Sequence, residues 1–286
     1  VRVLLTGSAG FIGSVIAATL VEQGHSLTRV DKRTGIDARD FFRDWDSPSR
    51  RYDLVIHCAA VVGGRVLIES PMAHAENLEI DAGLFRWAEH VKPGRIVYVS
   101  SVAAYPAGLQ RTLGGALYEE DIDLTDTWAP DELYGWAKLT GEVLASRSSV
   151  PVSVVRPFTV YGSGQDPVFP FANIALQFRE RRNPVTVWGT GNQVRDFIHV
   201  KDVVRAIITM AVKEIDGPVN LCTGRALSLR ELIALFAEQA GYDPEISTAD
   251  KPEGLIYRVG CPERLLEFYT PAMLVEEGIT EALKGP

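Results

Sequence analysis

A tyrosine and a lysine stand four positions apart in Tyr134-Gly135-Trp136-Ala137-Lys138, and on a helix that spacing puts both on one face. A pair of hydroxyls, Ser100-Ser101, follows the apolar run Ile96-Val97-Tyr98-Val99. These residue types suit hydride exchange at an alcohol carbon. Taking a hydride from a secondary alcohol requires its proton to leave too, and a tyrosinate can accept it. Free tyrosine titrates near pKa ~10, too high for a base at neutral pH. A lysine ammonium close by, with the positive ring of an oxidised nicotinamide, would stabilise the phenolate and bring it toward the working range. Ser101 would hydrogen-bond the reacting oxygen and hold it in line. Alone, a Tyr-x-x-x-Lys pair is an ordinary surface helix pair, so its meaning depends on whether a cofactor site lies beside it.

The opening stretch, VRVLLTGSAGFIG, has the pattern of such a site. An apolar strand runs into a glycine turn, and apolar residues then recur at helical spacing (Ile12, Ile16, Leu20). Gly7 and Gly10 let a pyrophosphate approach the backbone. The first helical turn, Phe11 and Ile12, presents free N–H groups and the positive end of the helix dipole, and Gly13 lets the helix pack closely on the sheet. The spacing is G-x-x-G-x-x-G, not the commoner G-x-G-x-x-G, so the flanking strand and helix carry the assignment. About twenty residues on, Val30-Asp31 ends a second strand. A carboxylate there accepts from the adenosine ribose hydroxyls and repels an added phosphate, which favours NAD. Lys32 and Arg33 follow directly and leave NADP open. Asp37-Ala38-Arg39-Asp40 reads as an adenine-side contact or, equally, as a helix N-cap. The small residues of His57-Cys58-Ala59-Ala60, leading into Val61, suit a backbone passing close to the cofactor.

Short apolar runs near 2–6, 26–31, 53–57, 95–99 and 151–155 alternate with helical patterns near 11–23, 38–44, 71–90 and 130–148. That alternation predicts an α/β fold with a doubly wound parallel Rossmann sheet. After Gly162-Ser163-Gly164-Gln165-Asp166-Pro167, a loop by composition, strands near 185–188 and 219–221 mix with helices near 170–181, 201–213 and 228–240. We therefore divide the chain into a cofactor-binding domain, 1–160, and a smaller C-terminal substrate-binding lobe, 161–286, part of which returns to the sheet. The net charge of −8, without a basic block, disfavours nucleic acid as a partner. Cys58, Cys222 and Cys261 are far apart, and the histidines at 25, 57, 74, 90 and 199 lack paired spacing, so reduced thiols and no metal are expected. No apolar stretch reaches the roughly 18 residues that span a membrane. A chain opening directly on a strand also sets the expectation of no signal peptide and of a cytoplasmic location.

The motifs TGSAGFIG, HCAA, VSSVAAY, YGWAK, RPFTVYG and GNQVRDFIHVKDVVRAI together resemble the extended short-chain dehydrogenase/reductase family, in its nucleotide-sugar epimerase, dehydratase and reductase branch, over nearly the whole chain. The resemblance implies that Ser101, Tyr134 and Lys138 form the catalytic triad, with Lys138 also on the nicotinamide ribose and Pro157 beside the cofactor. Asn77 would position a water or the cofactor. Arg195 would clamp a nucleotide diphosphate, as suits a permanently charged planar fork; the alternative is an internal pair with Asp196 or Asp202. Trp188 would line the base pocket or sit in the core, and Arg258 would be a late diphosphate contact. Thr159 stands where many relatives carry Asn, which puts one substrate contact in doubt.

Reaction type turns on positions 102 and 103. The family's sugar 4,6-dehydratases carry an Asp and a Glu where this chain has Val102 and Ala103; its decarboxylases carry a Glu, and its GDP-fucose synthases and 3,5-epimerases a Cys, at the place of Ala103. Inert residues here suit a 4-epimerase, whose sugar turns over without a competing acid or base. The expected activity is NAD-dependent C4 epimerisation of a nucleotide-diphosphate sugar through a 4-keto intermediate. Open alternatives are an NAD(P)H-dependent 4-keto-sugar reductase, a dehydratase drawing its acid from Glu119, Glu120 or Asp121 in the atypical insertion 106–127, and a cofactor-binding regulator without chemistry. A homodimer through helices 71–90 and 130–148 is also expected, with Leu84, Trp87, Leu139 and Leu144 either supplying its apolar surface or facing the sheet.

Overall fold

A strand buried on both faces has no polar side to give to water, and Val3-Leu4-Leu5 is such a run. In the computed structural model it forms β1 (Arg2–Thr6), with Val3, Leu4 and Leu5 fully buried. The structure describes residues 1–45, 51–64, 67, 70–125, 129–130, 132–249 and 254–285. Five further strands join β1 in one parallel sheet: β2 (Ser26–Val30), β3 (Leu54–His57), β4 (Arg95–Val99), β5 (Val152–Pro157) and, after three strands of the second half, β9 (Gly217–Leu221). Their order is β2-β1-β3-β4-β5-β9, so the chain moves one way from β1 and then reverses past it. This is the doubly wound parallel sheet predicted from the sequence.

Helices cover both faces. On one, α1 (Phe11–Glu22) and α6 (Val200–Val212) pack in a core that joins Ile16 and Leu20 to Val3, Leu5, Val203 and Ile207. On the other, α3 (Pro71–Val91) and α4 (Glu132–Arg147) cover a core built on Leu4, Val55, Ile96 and Tyr98. A short α2 (Ala38–Phe41) lies between β2 and β3, ending earlier than the predicted 38–44. Residue 131, within the predicted helix 130–148, lies outside the described residues.

The second half supplies a separate apolar cluster around Phe171, Phe178, Phe197 and Phe236. It is assembled from β6 (Thr159–Tyr161), α5 (Pro170–Arg179), β7 (Val185–Trp188), β8 (Val194–His199), β10 (Ala226–Ser228), α7 (Leu229–Ala240), β11 (Ile246–Ala249), β12 (Tyr257–Arg258) and α9 (Val275–Lys284), with α8 (Glu263–Leu266) near β9. β8 pairs with β6, β10 and β12, and β7 with β11. Sequence pattern alone does not mark α9. Its apolar positions are few, and Val275 and Ile279 are buried only because α5 and α7 stand opposite.

The insertion after residue 106 is tied down by a buried ion pair. Arg156 on β5 donates from Nε and Nη2 to the Glu142 carboxylate, at 2.7–3.2 Å, and both side chains are almost fully buried. Its remaining nitrogen, Nη1, donates to the Glu119 carbonyl at 2.8 Å and to the Tyr105 hydroxyl at 3.1 Å. Glu119 in turn accepts the Asn220 N–H at 2.8 Å. A buried pair tolerates no lost partner, because a lone charge in the core costs several kcal/mol. Glu119 is therefore a structural anchor, which corrects its reading as an acid for chemistry. Glu120 is exposed, and Asp121 accepts the Tyr118 N–H at 2.8 Å. Residues 126 and 127 of the insertion lie outside the described residues.

Leu84, Trp87 and Leu139 are also corrected as interface candidates: they are 0, 0 and 3% exposed and belong to the cores beneath the helices. Leu144 packs against the α3–α4 core. Leu84→Ala should accordingly cost about 2–5 kcal/mol of unfolding free energy in a denaturant titration, the range for a core truncation; a loss below about 1 kcal/mol would mean that Leu84 is not core.

Candidate active site

In open α/β sheets ligands bind at the carboxyl ends of the strands where the strand order reverses. Here that point lies between β1 and its neighbours β2 and β3, and a cleft of about 1680 Å³ opens there. Every candidate site residue from the sequence lines it except Asn77.

The floor is the glycine turn. Gly7 has φ +69°, and a Cβ on it would lie 2.7 Å from the Ala59 nitrogen and the Cys58 carbonyl carbon, so β1 and β3 meet backbone to backbone. A Cβ on Gly13 would run into the Gly7 carbonyl oxygen. Gly10 precedes α1 with no side-chain cap, and the first turn carries no acidic residue, so Phe11, Ile12 and Gly13 present N–H groups to the cleft. That cradle fits a dinucleotide pyrophosphate.

At the ribose end, Asp31 is 7% exposed and its oxygens accept the Ala9 N–H at 2.9 Å and the Arg33 N–H at 2.8 Å. One carboxylate thus closes the glycine turn and still faces the cleft. Lys32 reaches Glu76 at 3.8 Å from an exposed position. Asp37 caps α2 through the Arg39 N–H and binds the Arg39 guanidinium at 2.7 Å, which holds its carboxyl below the usual range. The N-cap reading of Asp37 is thereby shown, while Asp37 and Ala38 also line the cleft. Asn77 is corrected. Its amide accepts the Val61 N–H at 2.7 Å and donates to the Val61 carbonyl at 3.0 Å, so it shapes the segment at Ala59-Ala60-Val61 from behind.

Ser101, two residues past the end of β4, caps the 3-10 turn Val102–Ala104, accepting the Ala103 N–H at 3.1 Å. Tyr134 and Lys138 project from α4. That helix comes close enough for a Cβ on Gly135 to clash with the Ala103 carbonyl, which sets the tyrosine against the serine turn. Lys138 is 2% exposed, with Nζ 5.9 Å from the Tyr134 ring centroid. Burial raises the Tyr134 pKa above the ordinary tyrosine value; Lys138 lowers it, Asp81 raises it further, and a hydrogen bond with Ser101 lowers it. The lysine pulls in the expected direction, but burial outweighs it in the protein alone. Cys58 has a thiol that burial pushes up to about 12, so it stays neutral beside the turn.

On the substrate side, Arg195 is half-buried and donates to the carbonyls of Val194 at 2.8 Å and Leu255 at 2.9 Å. Asp196 and Asp202 serve other partners. Asp196 accepts from Thr223, Gly224 and Gly260, and Asp202 from Tyr269, Ala272 and Met273. Arg258 donates to Gln110 at 2.5 Å, and Trp188 is 41% exposed at the rim. Thr159 and Pro157 line the wall between the two halves.

Lining residues that the sequence reading does not single out include Glu76, Gln193 and Glu132. Gln193 lies inside the quoted GNQVRDF motif, where its type and place are visible. The others carry no local signal. Glu132 adopts φ +58° at the start of α4, a conformation that a non-glycine residue rarely takes.

Residues 3–222 match the family described as the NAD dependent epimerase/dehydratase family. A putative UDP-glucose 4-epimerase of Methanocaldococcus jannaschii is 28% identical over 97% of this chain and 95% of that protein. A dTDP-4-dehydro-6-deoxy-D-allose reductase of Streptomyces is also 28% identical, over 93% of this chain and 87% of its own. Among solved structures, the UDP-glucose 4-epimerase of Thermus thermophilus in complex with NAD superposes with a TM-score of 0.84 at 26% identity, covering 99% of this chain and 98% of that one.

Because burial holds Tyr134 protonated, its titration should respond to a positive ring placed over the cleft. We expect near-ultraviolet phenolate absorbance, after subtraction of Tyr134→Phe, to titrate above ~10 in the free protein and at least about one unit lower with oxidised NAD. An unchanged midpoint would remove Tyr134 from the cofactor's reach.

Proposed function

The chain belongs to the NAD dependent epimerase/dehydratase family, and from that premise we propose that it is a nucleotide-sugar 4-epimerase acting on a UDP-hexose. The observation that carries the reading is the wall beside Ser101. Val102 and Ala103, each 7% exposed, place no acid, base or thiol against a sugar lying over Tyr134. The UDP-glucose epimerases among the similar proteins support the choice of nucleotide.

NAD, held by the glycine cradle and Asp31, supplies the hydride acceptor and donor. Tyr134 takes the proton from the C4 hydroxyl as the hydride leaves, and returns it after the keto sugar has turned over. Lys138 balances the charge of the phenolate, and Ser101 hydrogen-bonds the reacting oxygen. Arg195 and Arg258, permanently charged at the far side of the cleft, hold the diphosphate, and Trp188 covers the base. Because an epimerase consumes no net oxidant, the glycine cradle and Asp31 would keep hold of NAD between turnovers.

The purified protein should interconvert UDP-glucose and UDP-galactose, or another C4 pair of UDP-hexoses, with no added reductant. Tyr134→Phe should lower kcat at least ~100-fold, the usual weight of a general base. Stoichiometric consumption of NADPH with a 4-keto sugar would instead assign a reductase. Formation of a 4-keto-6-deoxy sugar would assign a dehydratase, for which Glu132 is the acid lining the cleft nearest in sequence to Tyr134.

We also propose a homodimer, through the outer face of α4 in place of the buried residues first considered. Trp136 and Val143, 41 and 37% exposed, share that face with exposed Thr140. Light scattering at micromolar concentration should give twice the chain mass, and Trp136→Glu should halve it; a monomeric parent would overturn the interface.

A further inference from the structure

Behind the catalytic pair, between the sheet and helices α3 and α4, lies a buried carboxylate that the reaction described above does not use. Asp81 is 3% exposed. Its Oδ1 accepts from His57 Nε2 at 3.1 Å and its Oδ2 from the Tyr98 hydroxyl at 2.5 Å. The far side of the imidazole is also committed: Thr6 Oγ1 lies 2.8 Å from His57 Nδ1 and accepts the Ala59 N–H at 3.3 Å. Because an ionised carboxylate only accepts, the neutral His57 carries its proton on Nε2, and Thr6 then donates to Nδ1. Room for the cluster comes from Gly141. A Cβ there would clash with the Tyr98 hydroxyl and lie 2.9 Å from Asp81 Oδ2.

Both hydrogen-bond donors to Asp81 are neutral. Burial lowers the His57 pKa below its ordinary value and raises that of Tyr98 well above. Asp81 therefore keeps a full negative charge in the core, where an unmatched charge is costly. The matching cation stands across the Tyr98 ring. Lys138 Nζ is 5.0 Å from that ring's centroid, on the helix turn just before Gly141. Of the other titratable groups around them, Glu142 is matched by Arg156, Cys58 stays a thiol and Tyr134 stays a phenol. Although burial alone would raise the Asp81 pKa, Lys138, His57 and Tyr98 together hold it below the usual carboxylate value.

We propose that Asp81 is a positioning residue for the catalytic pair: its carboxylate, pinned by His57 and Tyr98, is the counter-ion of the Lys138 ammonium beside Tyr134. The strands thus contribute to the proton chemistry from below. Thr6, which leads into the glycine turn, and His57, which leads into the segment at Ala59, orient the counter-ion of the lysine. The catalytic meaning of this pairing rests on the roles given to Tyr134 and Lys138 under Proposed function. The pairing itself is read from stability and needs no sugar, so its failure is separable from failure of the epimerase reading.

The test is a double-mutant cycle on thermal unfolding of the full chain at saturating NAD, with the parent, Asp81→Asn, Lys138→Met and the double variant. Asparagine keeps the size of Asp81 and removes its charge. Near neutral pH, Asp81→Asn should lower Tm by about 5 °C or more, because it strands a buried ammonium. In the Lys138→Met background the same change should cost less than half as much. Equal losses in both backgrounds would overturn the proposal and leave Asp81 a hydrogen-bonding residue only. Should Asp81→Asn fail to fold, Lys138→Met is read alone against pH. A carboxylate left without its cation takes up a proton more readily on acidification. Protonation relieves the cost, so the Tm deficit of Lys138→Met should shrink between about pH 7 and pH 4.5. A deficit independent of pH would overturn the proposal.

Discussion

Gly7 is where two strand ends meet. With φ +69° and the Cys58–Ala59 peptide 2.7 Å from where a Cβ would be, it brings the carboxyl end of β1 against that of β3 with no side chain between. The rest of the cleft floor follows from that approach. The turn can then place its carbonyl under Gly13, so that α1 starts close to the sheet and aims its first N–H groups at the opening. A helix N-terminus with no cap and no acid is a poor end for a helix and a good seat for a pyrophosphate. Asp31 completes the arrangement by closing the turn at Ala9 while it faces the ribose end.

The chemistry is arranged around burial of charge. A lysine and a carboxylate, both almost fully buried, stand on α4 and α3 on the same side of the sheet, with an aromatic ring beside the ammonium. A second buried pair, Arg156 with Glu142, is next to the first and shares α4 with it. The two have different tasks. Arg156 spends its remaining donors on Tyr105 and Glu119 and so fixes the insertion to the sheet. Lys138 is left facing the cleft with Tyr134 and Ser101. Just past the end of β4, Ser100 donates to Glu142 and so ties this turn to the Arg156 pair, while Ser101 lines the cleft.

The proposed 4-epimerase reading rests as much on what is missing as on what is present. Two inert side chains follow Ser101, and of the described acids of the insertion Glu119 is anchored in the core and Asp121 accepts the Tyr118 N–H. The second half of the chain also reaches the cleft, where β7, β8 and β12 carry Trp188, Arg195 and Arg258 into its lining.

By itself the sequence determined the parallel sheet, the glycine cradle, Asp31 and the Ser101, Tyr134 and Lys138 set. Each is a local pattern: a strand read from its apolar run, a turn from its glycines, a pair from helical spacing. Even the wall at Val102 and Ala103 was legible, because it directly follows the serine. Tertiary structure alone decided the rest. Asn77 reads as a cofactor contact until Val61 is seen on its amide, Leu84 and Trp87 read as surface or core with equal ease, and Glu119 reads as a loop acid until Asn220 and Arg156 close around it. Asp81 is one acid among several on α3 until His57 and Tyr98 arrive from two strands and Lys138 from another helix. Burial and charge pairing are properties of what stands opposite a residue. Neighbours distant in sequence leave no periodicity that a single chain can reveal.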